Sequence, residues 1–584
     1  MLALLGYYVF APLVEPALVD ALRHSGLAWI WRGSRLLTVE FAVLYYPVLT
    51  YVIGFLIPRA GEDLRAVCWK SPACRAYLRP PGWFSFDISE RSPPFIDLAD
   101  IQWRGFREAL AIILPLAALL SVCLRVLTRH FASRKHLGKQ LRMIIGLGVL
   151  LYIHGAGAAF LITLALLFYA SGTLLAASSF GTAFAWGLAI FAIAAKEPNF
   201  PIRRHLTFQT FLGDRWGFLD GHSYQGEYDW AQSVNLVVLR LLSFSLDCNR
   251  ASRKSPDNVS KASFVALTGS HYSLTGCVSH AFYAPLFLAG PTICFDDFVD
   301  QCHAPRASTS PLGLYLLQLV GGIAALEIGT HMYPCFALAR SGELSRLGPR
   351  LGAAAVFLTL NLMWLKFFVL WRVARMWALA DGIDPPENMR RALCNHYSVA
   401  SFWQCWHASF NRWLVRYIYV PAGGRNNRVL ATALTFLFVA LWHDAEAKLL
   451  AWGGLNAFFI ALEVALSSAM RRHLRDLEKR RPWVHRQLCA LGGTSCIFLL
   501  MAVNMIGYSV GVGGISGLLS SASAAGAEGL QVLGVSYVFL FCGVQVMFEI
   551  RALDGTFGAA LAREAQADAQ AATGSQPASD VKSE

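Results

Sequence analysis

The sequence predicts an all-α, polytopic membrane protein with about nine to twelve transmembrane helices. Three observations carry this. Only 15% of the 584 residues are charged, where a soluble domain carries about 25%. Hydrophobic residues make up 55% of the chain, with 38 Phe and 17 Trp, and they are spread along almost its whole length. They also fall into windows approaching the length a bilayer needs, about 20 residues for ~30 Å of hydrocarbon. Together these exclude a disordered chain, a coiled coil and an ordinary cytosolic enzyme.

In chain order, Met1–Ala21 is apolar but carries Glu15 and Asp20. It lacks a basic leader and a small-residue cleavage site, so residues 1–35 are expected to form a retained interfacial or membrane helix. The main membrane domain is expected over 36–552. Its apolar windows are Leu36–Ile57, Leu110–Leu127, Met143–Phe168, Phe180–Ala195, Ser279–Ile293, Leu312–Tyr333, Ala353–Leu370, Val429–Trp442, Leu449–Leu466, Ser495–Val512 and Val535–Met547. They are rich in Ala, Gly and Ser, which let helices approach closely in lipid. Residues 553–584 read as a disordered tail, because Ala559–Glu584 is dominated by Ala, Gln, Ser and Asp.

The net charge of +13 sits largely in short basic linkers. Arg125, Arg129, Arg134, Lys135, Lys139 and Arg142 form one; Arg471, Arg472, Arg475, Lys479, Arg480, Arg481 and Arg486 form another. Both are expected to face the cytosol. The charge is therefore mainly topological, and no nucleic-acid partner is implied. Arg59–Arg107 then lies on the opposite side, where Cys68 and Cys74 are close enough for a small disulfide loop if that side is oxidising. No Cys/His spacing suggests zinc, so no metal is expected. Asn258-Val-Ser260 matches a glycosylation sequon, but its basic neighbours place it in the cytosol, unmodified.

Ionisable groups inside membrane segments are costly and therefore mark functional candidates. They concentrate between Trp364 and Trp452. His443 closes an apolar helix between Trp442 and Asp444. It reads either as an interfacial imidazole held in one tautomer by Asp444, or as a general base whose titration lies near working pH. His407 stands among Trp403, Trp406 and Trp413; taken alone it reads as part of an interfacial aromatic belt. Glu327 and His331 share a helix face, but further metal ligands are missing, and a hydrogen bond inside the bundle is the expected role. Asp381, Asp384, Glu387 and Asn388, beside Pro385 and Pro386, read as loop-capping groups. Arg412, Arg416, Arg425 and Arg428 read as cytosolic charge or, more sharply, as contacts to CoA phosphates. Neither histidine is useful on a lipid-facing surface, so the helices are expected to enclose a tunnel lined by both.

The run Trp403-Gln-Cys-Trp-His-Ala-Ser-Phe-Asn-Arg-Trp, followed by an apolar helix and Leu441-Trp-His, resembles the signature of the membrane-bound O-acyltransferases. The wording is closest to the glycerol-uptake-protein branch, which is similar to hedgehog acyltransferase. Asp97-Leu-Ala-Asp-Ile-Gln-Trp-Arg, Tyr283-Ala-Pro-Leu-Phe-Leu-Ala-Gly-Pro and Asp381-Gly-Ile-Asp-Pro-Pro-Glu-Asn-Met carry the same likeness. The resemblance implies that His443 is the catalytic histidine and that His407 occupies a position where relatives carry Asn, Asp or His. Trp403, Trp406, Asn411, Trp442, Asp444 and Arg416 are the accompanying candidates for substrate contact. The implied reaction is transfer of a long acyl chain from acyl-CoA, as co-substrate with no tightly bound cofactor, to a hydroxyl of a lipid acceptor. In this branch that acceptor is a lyso-form glycosylphosphatidylinositol anchor in the endoplasmic reticulum membrane. No Ser in a G-x-S-x-G context is present, so direct transfer is expected. The alternatives are a protein acyltransferase of the hedgehog type and a polyol/proton symporter. A symporter would be expected to show a two-half repeat, and none is evident.

Overall fold

The computed structural model describes residues 35–81, 92–131, 136–176, 178–254, 271–303, 312–443 and 446–573. All but the last residue of the N-terminal helix expected over 1–35, the sequon at Asn258 and the last residues, 574–584, lie outside these ranges. Among the described residues, eight helical stretches are long and apolar enough to cross a membrane. The protein is an all-α, multi-pass membrane protein; one two-stranded antiparallel ribbon, β1 (Leu78–Arg79) with β2 (Ile96–Asp97), caps one end.

The helix α1 (Phe41–Lys70) ends at a disulfide between Cys68 and Cys74. Asp100 then caps α2 (Ile101–His130), accepting from the Trp103 amide at 2.8 Å. The apolar stretch expected at Met143–Phe168 is not one helix. It is a hairpin of α3 (Leu137–His154) and α4 (Ala158–Leu174). The reversal falls at Gly155, whose φ is +52°. A side chain there would be strained and would collide with the backbone of Tyr224 and Gly226. Next come α5 (Ser179–Ala195), capped by Ser178, and α6 (Ala231–Lys254).

α6 carries Arg240, Ser243, Ser245, Asp247 and Asn249 at buried positions, so its polar groups face protein rather than lipid. This explains a correction. The window Ser279–Ile293 is not a span but two short helices, α7 (Leu274–Ala281) and α8 (Ala284–Ala289). The guanidinium of Arg240 donates to the carbonyls of Ala281 (3.0 Å) and Leu286. Broken backbone is tolerated at membrane depth when protein satisfies it in this way.

Further elements are α9 (Leu312–Met332), α10 (Pro349–Ala380), α11 (Val399–Cys405), α12 (Ala408–Leu414), α13 (Arg428–His443), α14 (Ala447–His473), α15 (Pro482–Tyr508), α16 (Gly511–Ala524) and α17 (Ala527–Thr573). α17 continues through Thr573, well past residue 553, where the sequence reading begins a tail. The Ala-, Gln- and Glu-bearing stretch after Gly558 consists largely of strong helix formers.

The two ends of the bundle are distinct. Ser71 donates to Glu343 at 3.0 Å, placing the disulfide beside the connection into α10. At the other end Arg486 pairs with Glu549, and the Trp483 indole donates to Glu40. α13 and α14 pack as a hairpin across a short connection, so the basic residues 412–428 and 471–481 share that second end. The expected polar groups behave as structural ones. Glu327 forms an ion pair with Arg107, and the His331 ring bonds the Glu327 carbonyl at 2.8 Å. Asp381 accepts from Ser121 (2.5 Å) and Tyr283 (2.8 Å), and Asp384 pairs with Arg375 at 2.6 Å.

Candidate active site

A short helix, α11, begins at the Ser398 cap, whose hydroxyl accepts from the Ser401 amide. It ends at Cys405; Trp406 is extended, and His407 turns into the left-handed region at φ 46°, ψ 46° before α12 starts. His407 is the one non-glycine residue with positive φ among the described residues. Its conformation is held on both sides. Asn388, fully buried, accepts from the Ala408 amide through its backbone carbonyl (3.0 Å) and from the Ser409 amide through Oδ1 (3.1 Å). The imidazole stacks on Trp371 with centroids 4.5 Å apart and meets Phe410 at 5.1 Å.

His443 is the last residue of α13. With 16 residues, α13 rises about 24 Å, so its end does not need to reach the far water surface. The His443 carbonyl accepts from Asn235 Nδ2 at 3.3 Å. Its ring meets Trp442, Tyr508 and Trp452 edge-on, at 4.7, 5.6 and 6.3 Å between centroids. It is half-buried.

Both histidines line one cavity of about 1080 Å³. The cavity walls differ in chemistry. Towards the disulfide end the lining includes Asp100, Gln102, Arg340, Lys366, Glu446 and Lys448; away from it the lining is more apolar, with Ile53, Leu500, Met501, Leu540 and Met547 beside the polar Thr50, His396 and Asn504. Lys366 is buried in α10 and donates to Asp100 at 2.7 Å and Gln102 at 3.1 Å. Asp100 thus caps α2 with one oxygen and neutralises a membrane-helix lysine with the other.

Of the residues singled out from sequence, Trp403, Trp406 and Trp442 line this cavity with the two histidines. Asn411 and Arg416 do not. Arg416 instead bridges Asp247 (2.9 Å) and Asp296 (3.1 Å), and Arg412 pairs with Asp297. Asp444 lies outside the described residues. Three indoles around the histidines already use their N–H groups: Trp403 on Asn456, Trp442 on the Asn235 carbonyl and Trp452 on Asn504. Sequence reasoning missed Lys366 and Tyr508. A lysine inside a long apolar helix was the available signal for the first; for Tyr508 there was none. Among the described residues no group of His, Cys, Asp and Glu is arranged to hold a metal ion.

A membrane-embedded bundle with two histidines facing a cavity lined by both polar and apolar side chains is suited to joining an apolar chain to a polar acceptor. Comparison with known proteins agrees. Residues 216–504 match the membrane-bound O-acyltransferase family, a range that holds both histidines. The chain belongs to this family and is an acyltransferase. It is similar to the membrane-bound O-acyltransferase gup1 of Schizosaccharomyces pombe, 32% identical over 500 residues that cover 81% of this chain and 82% of that protein. It is also similar to GUP1 of Saccharomyces cerevisiae, 33% identical over 478 residues covering 78% and 82%. A more distant relative is the protein-cysteine N-palmitoyltransferase HHAT of Mus musculus, 28% identical over 304 residues covering 48% and 58%.

Proposed function

We propose that the protein transfers a long acyl chain from acyl-CoA to a hydroxyl of a lipid acceptor, with His443 as general base. The observation that carries this reading is the shared cavity: both histidines line it together with polar and apolar side chains. In the proposed reaction a His443 ring nitrogen takes the proton of the acceptor hydroxyl as its oxygen attacks the thioester carbonyl. His407 donates a hydrogen bond to the oxyanion that forms; the indoles of Trp403, Trp442 and Trp452 are already committed to other acceptors. The tetrahedral intermediate then collapses, the C–S bond breaks, and the CoA thiolate recovers the proton from His443. No acyl-enzyme is required.

The acyl chain would lie along the apolar wall and the acceptor headgroup in the polar mouth. The proposed acceptor is a lyso-glycosylphosphatidylinositol and the proposed place the endoplasmic reticulum membrane, as the resemblance of the sequence motifs to the glycerol-uptake-protein branch implies. The disulfide between Cys68 and Cys74 fits an oxidising lumen on the mouth side. The proposed substrate contacts are Trp403, Trp406 and Trp442. Arg416, occupied by two carboxylates, is better suited to structure than to CoA. Transfer to a protein, as the name of the mouse relative describes for that enzyme, is the second reading.

Purified protein given labelled acyl-CoA and a panel of lyso-lipid and peptide acceptors tests this. Wild type should label a lyso-lipid, and His443→Ala should be slower by roughly 10²–10⁴-fold, the usual share of a positioned base. Wild type that labels only peptides would replace the lipid acceptor with a protein. Wild type that labels nothing but carries glycerol into liposomes would overturn the reading.

A further inference from the structure

We propose that residues 196–230, which join α5 to α6, form an aromatic collar inserted into the bilayer leaflet on the disulfide side, beside the cavity mouth. The segment is pinned at the depth where membrane helices turn. Phe208 and Phe211 meet Phe160, in the first turn of α4, at 5.1 and 6.4 Å between centroids. The Tyr228 amide donates to the Ile153 carbonyl at 3.0 Å, and the Ala156 amide to the Tyr224 carbonyl at 2.8 Å. The collar is therefore fastened to the α3–α4 reversal itself and is not lifted into the water.

At that level it exposes large apolar side chains: Phe211 is 63% exposed, Leu212 56%, Phe218 50% and Trp216 44%. Trp216, Phe218 and Tyr224 form one continuous aromatic group. In water such a patch would be a liability; at the headgroup boundary, aromatic rings with one wet and one apolar side are favoured. The occupant is a lipid surface, because Phe208, Phe211 and Trp230 of the segment pack on Phe160 of the membrane helix α4 and the segment runs into α5 and α6 at its two ends. Charge does not select the lipid: the segment holds four basic and five acidic residues. Insertion therefore depends on ring burial and is insensitive to salt and to anionic lipid. Two residues beyond the collar stands Gln232, followed by Asn235 and Leu236, all three lining the cavity. Seating the collar thus fixes the mouth at headgroup depth, where a membrane-borne substrate would present itself.

The test places a benzophenone-bearing amino acid at Phe211, Phe218 or Glu227 of the full chain, in nanodiscs of phosphatidylcholine alone. After illumination, lipid adducts are expected at Phe211 and Phe218 and not at Glu227, with unchanged yield in high salt. Absence of lipid adducts at both phenylalanine positions, in protein whose Cys68–Cys74 disulfide is intact, would overturn the proposal; so would adducts to a co-purified protein in their place. The readout is independent of catalysis, so it stands or falls separately from the acyltransfer reading.

Discussion

Replacing His407 separates what its ring does from what its backbone does. The left-handed conformation, φ 46° and ψ 46°, costs an ordinary L-residue about 1–2 kcal/mol, less for His, Asn and Asp and nothing for Gly. The stack on Trp371 at 4.5 Å contributes about 0.5–1.5 kcal/mol. His407→Gly therefore gains on the backbone roughly what it loses in stacking, and should fold with near-native stability. His407→Asn should be close behind. His407→Val loses the stack and forces a β-branched residue into the left-handed region, which should cost about 2–3 kcal/mol. Thermal unfolding in nanodiscs gives the stability order, and acyl transfer gives the chemistry. If the ring donates to the oxyanion, His407→Gly is folded but slow, by the ~10²–10³-fold lost with one such donor, and His407→Asn keeps more activity because its amide can donate. A His407→Val protein as stable as His407→Asn would refute the conformational argument. A fully active His407→Gly would refute the catalytic one.

Three further outcomes are expected. A Cβ added at Gly507 would lie 2.6 Å from Trp452 Cδ1, and Trp452 backs His443, so Gly507→Val should cost about 1–3 kcal/mol by overpacking and lower acyl transfer; full activity would show that the indole does not set the His443 position. Lys366→Met leaves the half-buried Asp100 without its partner and should destabilise by about 1–3 kcal/mol, whereas Lys366→Met with Asp100→Asn should recover much of that; a double variant no more stable than the single one, in thermal unfolding, would dismiss the pair as a unit. Cysteines at Arg425 and Lys479 should react with an impermeant maleimide from one face of sealed vesicles and a cysteine at Arg346 from the other; labelling of 425 and 479 from opposite faces would overturn the topology.

The legible part of this fold is the part that lipid sees. Long apolar windows such as Leu110–Leu127 mark α2 because its outward positions are apolar: Ile112, Leu119 and Val122 are 59–70% exposed in the bundle. Legibility fails where protein replaces lipid as solvent. α6 does not read as a span, since Arg240 and Asp247 interrupt it, yet those charges are buried against partners supplied from α7, α8 and α12's continuation at Arg416. Conversely, Ser279–Ile293 reads as a span because its composition is apolar, and the Arg240 that satisfies its broken backbone lies some 40 positions away in sequence. The site divides in the same way. The histidines and tryptophans stand out because polar and aromatic residues crowd into one region of an apolar chain, so His407, His443, Trp403, Trp406 and Trp442 are visible as a group. Arg416 looks equally suited to a substrate in sequence, and only its geometry shows two carboxylates already holding it. The Lys366–Asp100 pair spans 266 positions, a contact no local pattern encodes, although the lone lysine in α10 does announce that a partner must exist. An unexplained charge in an apolar helix is thus the place where sequence reading should expect a long-range contact, and the cavity mouth is built from one.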